Sequence, residues 1–474
     1  MTAQSNKSVR IRQIASGLGV LLGIWIGLQP PPEGLTTTTM YAIGIAVWGI
    51  SWWVTGIIPD YCTGLMMCAL WALFKCVPFA QSFSAFARPV WWLVVVAFAL
   101  GSIAGKVGLL NRIALCVLSI FPPSYRGQIW GILSAGFIIS PLIPSVNGKA
   151  ALAAPIGLAI SDTLGLERKS KGCCGILGAC LTGFYQSSSL FLSGSSANYM
   201  LLGIIGAAVA GSGDVSWLGW AGRAAVFTAI LFIGMGIFLT TFFKPEKDVR
   251  LPAGYAKEQL AKLGPMSRDE RVTLTIMLLT LIMWMSEPLH HLNSGEVGVL
   301  ALCMLTATGV MTRQDFLSGI DWPSVMFIGT LLCMAAVIST LKIDTFLGDT
   351  LKPVFSTFVT NPYTLALALI LAVSVLKLGI VSLTTSTVII LFSFMPATTA
   401  LGIDPWVAAF LIWAGSQVFY LPYMNSAYLC AHYSTKGEMA DHALMGKQSL
   451  AYTVLCLIAA VASIPYWQTL KLIP

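Results

Sequence analysis

The chain has 474 residues, of which 57% are hydrophobic and 10% charged. Soluble domains carry about 25% charged residues, so this composition excludes a soluble enzyme and describes an all-α polytopic membrane protein. The net charge of +8 calls for no nucleic-acid partner, because Lys and Arg of a membrane protein collect in its cytoplasmic loops.

A span needs about 20 apolar residues. In chain order the apolar runs predict spans at 13–29, 39–58, 61–78 and 89–109, then an amphipathic stretch at 110–124. A re-entrant pair follows at 127–143 and 148–161. A span over 172–210 is broken at Ser193-Gly194-Ser195-Ser196-Ala197-Asn198, and another covers 217–243. After a polar connection at 244–271 come spans at 272–287, 295–311 and 322–341, and an amphipathic piece at 344–357. A second re-entrant pair at 362–381 and 387–401 precedes a span over 405–435, broken at Pro422-Tyr423-Met424-Asn425-Ser426. The last span is 448–469. The apolar run from Ile14 is long and has no small-residue cleavage site, so no removable signal peptide is expected.

The order of parts repeats. Arg88-Pro89-Val90 opens the series in the first half and Asp321-Trp322-Pro323 in the second, at an offset of roughly 230–240 residues, as internal transporter repeats do. The expected organisation is an N-terminal segment and first span (1–38), a first repeat (39–243) with its hairpin at 127–161, a connection (244–271), and a second repeat (272–474) with its hairpin at 362–401. About eleven crossings with the N-terminus (Lys7, Arg10, Arg12) inside place Lys244, Lys247, Arg250, Lys257, Lys262, Arg268 and Arg271 in the cytoplasm. Lys106, Arg112, Arg126, Arg168, Lys169, Lys171, Arg313, Lys436 and Lys447 fall there too. Lys75, Lys342, Lys352 and Lys471 fall on the other side. This bias agrees with positive-inside and makes the repeats inverted.

Polar breaks inside apolar hairpins carry the functional signal. Lipid gives backbone groups no water, so non-helical backbone at membrane depth lines a cavity or is buried in protein. The first tip reads Ser145-Val146-Asn147-Gly148. Pro141 and Pro144 end one half-helix, Gly148 is expected to let the chain turn, and the next half-helix presents free N–H groups and a positive dipole end to an anion. A Pro-kinked ordinary helix is the plain alternative. The second tip, Thr384-Thr385-Ser386-Thr387, sets four hydroxyls in an apolar context; back-bonding to their own helix is the alternative there. The broken spans supply the opposing wall, with Asn198 and Asn425 expected at equivalent positions. Asn147 and Ser386 are both expected to be needed for anion binding.

Ionisable residues at depth default to function. Lys149 follows the first tip and Lys377 precedes the second. The alternative for each is snorkelling or pairing with carbonyls. No Asp or Glu lies inside a predicted span away from its end, so a carboxylate proton relay has no candidate. Hydroxyls and carbonyls at the breaks suit Na⁺. The four His (His290, His291, His432, His442) sit near span ends. The eleven Cys, including Cys68, Cys116, Cys303 and Cys456, show no metal or disulfide spacing. The adjacent pair Cys173-Cys174 reads as helix packing.

At these residues the chain resembles the divalent anion:sodium symporter family of dicarboxylate, citrate and sulfate carriers. That family has a Ser-Asn-Thr motif at each hairpin tip and a Thr-Pro-Pro-like turn in each broken helix. Here the first tip aligns as Ser145-Val146-Asn147 ahead of Pro155. The second aligns as Thr385-Ser386-Thr387 or Ser386-Thr387-Val388 ahead of Pro396. The broken-helix turns align as Gly194-Ser195-Ser196-Ala197-Asn198 and Met424-Asn425-Ser426-Ala427.

The resemblance implies a secondary transporter of a small divalent anion (dicarboxylate, citrate, sulfate or sulfonate), of elevator type, homodimeric, in the bacterial inner membrane among lipid. Na⁺ or a counter-substrate would be its coupling partner, with no other cofactor. It implies substrate contacts from Ser145, Val146, Asn147, Gly148, Ser195, Ser196, Thr385, Ser386, Thr387, Asn425 and Ser426. Cation contacts would come from Ser145, Asn147, Gly194, Asn198, Ser386, Thr387 and Ala427. Neither tip keeps an intact Ser-Asn-Thr, and Lys149 stands where the family has a small residue. Its ammonium would replace a sodium ion or pair with substrate charge. A membrane-embedded enzyme on a lipid-linked substrate, or an anion channel, is the competing class. The enzyme would need a nucleophile, metal cluster or paired carboxylates at depth.

Overall fold

The computed structural model of the protein describes residues 3–208, 215–358, 361–378, 380 and 382–474. The side chains of Lys7 and Lys352, and the far end of the span expected to reach 210, lie outside the described residues. Every regular element among the described residues is a helix. Four helices are long and apolar enough to cross a membrane by themselves: Pro89–Lys106, Trp217–Phe242, Trp322–Thr340 and His442–Thr469.

The chain repeats one order of parts. Pro89–Lys106, Leu109–Leu118, the hairpin arms Tyr125–Ile139 and Val146–Thr163, the broken-span arms Lys171–Phe184 and Ser196–Ala208, and Trp217–Phe242 follow each other in the first half. Trp322–Thr340, Ile343–Phe358, Pro362–Leu376 with Leu383–Ala400, Pro405–Ser416 with Ser426–Ser434, and His442–Thr469 do so in the second. Local chemistry sets the ends. Pro89 and Pro323 sit in first turns, where a missing N–H costs nothing. Gly108, with φ +81°, separates Pro89–Lys106 from the amphipathic helix, so the span ends before the expected residue 109.

Where helices touch, small residues bring backbones together. A Cβ on Gly23 of Ala3–Gly27 would stand 2.6 Å from the Gly44 carbonyl oxygen of Thr37–Thr55. The arm Ser196–Ala208 packs on both Pro89–Lys106 and Trp322–Thr340, while Val146–Thr163 packs on Lys171–Phe184 and Ser426–Ser434. Cys173 and Cys174 are buried in Lys171–Phe184, as helix packing requires.

Ion pairs mark one end of the bundle. Arg112 donates to Glu270 at 2.7 Å and to the Gly264 carbonyl at 2.9 Å. Lys106 meets Asp315 at 2.6 Å and, with Thr312, holds that carboxyl down at about 2. Arg268 reaches the Thr308 carbonyl, and Ser124 bridges to Arg250. The 244–271 connection therefore gathers with Lys106, Arg112 and Arg313. At the opposite end Arg223 pairs with Asp404, whose N–H donates to the Leu472 carbonyl. Arg223 and Arg88 lie at that end, two charges that the reading from sequence did not count.

Candidate functional site

The arm Tyr125–Ile139 gives way to a 3₁₀ turn, Ser140–Leu142, in which Pro141 ends regular helix. After extended residues at Ile143 and Ser145, the helix Val146–Thr163 begins. Ser145 is its N-cap: the Gly148 N–H donates to the Ser145 hydroxyl at 3.2 Å, as Ser prefers at this position. Gly148 thus lies in the first helical turn without a left-handed φ. The turn is made by Ser140–Ser145, and the expectation that Gly148 makes it is corrected. Asn147 and Gly148 are exposed, Ser145 and Val146 half-buried.

Three side chains and backbone groups zip this tip to the first broken span. The Lys149 ammonium, fully buried, donates to the Gly194 carbonyl at 2.7 Å and to the Ser140 hydroxyl at 3.1 Å. The Ser193 hydroxyl donates to the Pro141 carbonyl at 2.7 Å, and the Ser196 N–H to the Pro144 carbonyl at 3.1 Å. The break is longer than expected and starts earlier. Helix ends at Phe184, two 3₁₀ turns (Gln186–Ser189 and Leu192–Gly194) follow, and helix resumes at Ser196. Asn198 is fully buried and donates to the Ser188 and Phe191 carbonyls at 3.1 and 2.8 Å. Its amide satisfies the break from within. Ser195 is buried too, its hydroxyl accepting from the Ala197 N–H at 3.2 Å.

The second broken span breaks from Gln417 to Asn425. Asn425 caps the helix Ser426–Ser434, accepting from the Tyr428 N–H at 3.1 Å, and donates to the Tyr185 hydroxyl at 2.8 Å. Asn425 precedes its helix whereas Asn198 is the third residue of one, so the two are not at equivalent positions, although both tie back to their own break. Ser426 donates to Asn147 Oδ1 at 3.0 Å and Ala427 is buried behind it. The first tip is thereby held by both broken spans.

The second tip differs from expectation. Helix ends at Leu376 and resumes at Leu383 with Ser382 as N-cap, so the break falls ahead of Leu383 and Thr384–Thr387 lie within the first turns of the helix. Thr385 donates to the Ser382 hydroxyl at 2.8 Å, while Ser386 and Thr387 donate to the Leu383 carbonyl at 3.0 and 2.9 Å. Hydroxyls are strong caps and back-bonders, and that chemistry moves the turn ahead of them. Thr385, Ser386, Thr387 and Lys377 are fully buried. Tyr423 links this tip to the second broken span by donating to the Leu378 carbonyl at 3.0 Å.

The structure adds Ser140 and Tyr185 to the residues read from sequence, and gives partners to Ser193 and Tyr423, which were read there only as parts of the breaks. Ser140-Pro141 at the end of an apolar run was a visible signal. Tyr185 carries none, since its partner is remote in sequence. Three helix N-termini, at Val146, Ser196 and Ser426, meet at the first tip. Their first-turn N–H groups and dipole ends favour negative charge there. Among the described residues no group of three His, Cys, Asp or Glu could hold a metal.

This arrangement, two hairpins against two interrupted helices, is matched along its length by the model of the sodium:sulfate symporter transmembrane region, over residues 12–473. The chain belongs to the sodium:sulfate symporter family. Among relatives of this member are chloroplastic dicarboxylate transporter 1 of Spinacia oleracea and the putative malate transporter YflS of Bacillus subtilis. The first is 27% identical over 341 residues, 70% of the chain and 59% of the spinach protein. The second is 25% identical over 362 residues, 75% of each. The YdaH transporter of Alcanivorax borkumensis shares the fold at a TM-score of 0.56, with 12% identity over 98% of the chain and 100% of YdaH. The family and the spinach and Bacillus relatives carry the names of transporters and not of enzymes.

Proposed function

We propose that the protein exchanges small dicarboxylates across a bacterial inner membrane, with the Lys149 ammonium standing in place of a bound sodium ion at the first tip. Lys149 carries this reading: a fully buried cation held by the Gly194 carbonyl and the Ser140 hydroxyl, an all-oxygen setting of the kind a hard cation takes. A sodium ion does not fit the same oxygens while the ammonium occupies them, so the first tip works without sodium. Among the described residues the buried charged side chains are Lys149, Lys377 and Glu270, and Glu270 is paired with Arg112. The Lys149 ammonium can balance one charge of a dicarboxylate. The names of the spinach and Bacillus relatives agree with that class.

A fixed cation cannot dissociate. The carrier without its anion keeps the Lys149 ammonium buried with no acidic partner among the described residues, which costs several kcal/mol, so it crosses fast only when loaded. Net uptake is then poor and exchange efficient. The side-chain bonds favour movement of one body against another, in the manner of an elevator. Lys106–Asp315, Arg112–Glu270 and Gln81–Thr340 join helices outside the hairpins. Asp162–Arg168–Glu438, Arg223–Asp404, Asn425–Tyr185 and Ser426–Asn147 join hairpins, broken spans and closing helices. We read the halves as inverted repeats and expect a homodimer.

The test is labelled malate uptake into proteoliposomes. Uptake should be rapid into malate-loaded vesicles, slow into empty ones, and the same when choline replaces Na⁺. Accumulation in empty vesicles driven by an inward Na⁺ gradient would overturn exchange, and conduction without acceleration by internal malate would favour a channel. Orientation has its own test. A C-terminal alkaline phosphatase fusion should be active and a C-terminal green fluorescent fusion dark, because the C-terminus lies opposite the basic 244–271 connection. The reverse pattern would refute the eleven-crossing path.

A further inference from the structure

Away from the tip, a cavity of about 710 Å³ opens at the end of the bundle opposite the basic connection. One wall is Arg88, Val90 and Leu93 with Leu332; another is the broken-span arm at Leu202, Gly203 and Gly206. Glu287, His291, Asn293, Ser294 and Ser216 line its mouth, and it deepens to Leu192, two residues before the Gly194 carbonyl that holds Lys149. Glu287 accepts from the Ser294 hydroxyl at 2.8 Å. The Arg88 guanidinium is half-buried, and among the described residues it has no hydrogen-bonded or ion-paired partner. Along the cavity wall the arm presses on its neighbours: a Cβ on Gly203 would stand 2.5 Å from Leu332 Cδ2 and 3.1 Å from Val90 Cγ1.

We propose that this cavity is the outer vestibule of the transport path and that Arg88 is where an incoming dicarboxylate first docks. The proposal rests on the exchange reading above and gives it a docking residue on one side. A charged residue in a low-dielectric cleft raises the local concentration of an oppositely charged ligand, and the effect fades with salt. Glu287 keeps its negative charge on the same lining while it accepts from Ser294, so the attraction is confined to the Arg88 wall of the cavity.

Labelled malate exchange in proteoliposomes sorted by orientation tests it. Arg88→Gln should raise KM from the vestibule side about five-fold or more and flatten the salt dependence of that KM, leaving KM from the basic side unchanged. Arg88→Lys should recover most of the loss. Because Arg88→Gln could fold poorly, His291→Cys offers a second route. A trimethylammonium methanethiosulfonate should lower KM from the vestibule side and a sulfonate reagent raise it, against unmutated protein treated alike to control for native thiols. Equal KM changes on both sides, or an Arg88→Gln variant with unchanged KM and salt response, would overturn the vestibule while exchange by the unmutated protein still stood. Absence of exchange in the unmutated protein would sink the reading beneath it instead.

Discussion

Lys149→Ala should abolish malate exchange in Na⁺-free medium, by about 100-fold or more, and make what remains depend on Na⁺. The ammonium is the fixed positive charge of the first tip, held by Gly194 and Ser140; breaking a buried charge pair costs roughly 3–5 kcal/mol, and two decades correspond to about 2.7 kcal/mol. Truncation also leaves the Gly194 carbonyl and Ser140 hydroxyl facing a space that a small cation can enter, which is why Na⁺ should restore part of the rate. Lys149→Gln separates charge from geometry, because an amide can donate to the Gly194 carbonyl without carrying charge. It should stay inactive in the absence of Na⁺. Stability should not fall in proportion, since deleting a lone buried charge relieves its desolvation. Exchange rates against Na⁺ for the three proteins, with melting temperatures in detergent, decide the matter. If Lys149→Ala weakens malate affinity with no new Na⁺ response, the ammonium is a substrate ligand. If neither changes, it only packs.

The first tip was legible because its chemistry is local. Pro141 and Pro144 cannot continue a helix, and Ser145 is a cap by preference, so the break appears in the string of residues itself. The second tip was misplaced for a related reason. Thr384–Thr387 are polar within an apolar run, but hydroxyls two to five residues after a cap belong to helix start, and only Ser382 accepting from Thr385 shows where the turn lies. The order of the spans reads well because apolar length is a coarse signal; their ends do not, since helix begins at Ala3 and not 13, at His442 and not 448, and stops at Leu73 and not 78. What sequence cannot display is closure between distant segments. The Tyr185–Asn425 bond, the Ser193 bond to Pro141 and the Ser426 bond to Asn147 depend on how the halves dock, and no periodicity encodes that. The interrupted spans show the same limit. Their polar residues announced a break, but its start at Tyr185 and Gln417 is set by tertiary hydrogen bonds.

Asn147→Ala should weaken malate affinity about 10- to 100-fold and leave the fold intact, whereas Ser386→Ala should change affinity by less than about three-fold. Asn147 is exposed at the meeting point of three helix N-termini, and its Oδ1 accepts from Ser426 at 3.0 Å, which turns its amide N–H groups outward toward a ligand. Removing it takes away a charge-assisted bond to a carboxylate, of roughly 1.5–3 kcal/mol, and unties the tip from the second broken span. An exposed side chain contributes little to stability by itself, within about 0.5 kcal/mol. Ser386 has one proton, and the Leu383 carbonyl already takes it at 3.0 Å; its hydroxyl has nothing left to donate to an anion. Binding of labelled malate to purified protein, with melting temperature as the control for folding, compares the two directly. Native affinity in Asn147→Ala would remove the first tip from the site. An equal loss in Ser386→Ala would mean that Ser386 breaks its helical bond when the anion arrives, and that both hairpins close on the substrate as the sequence alone suggested.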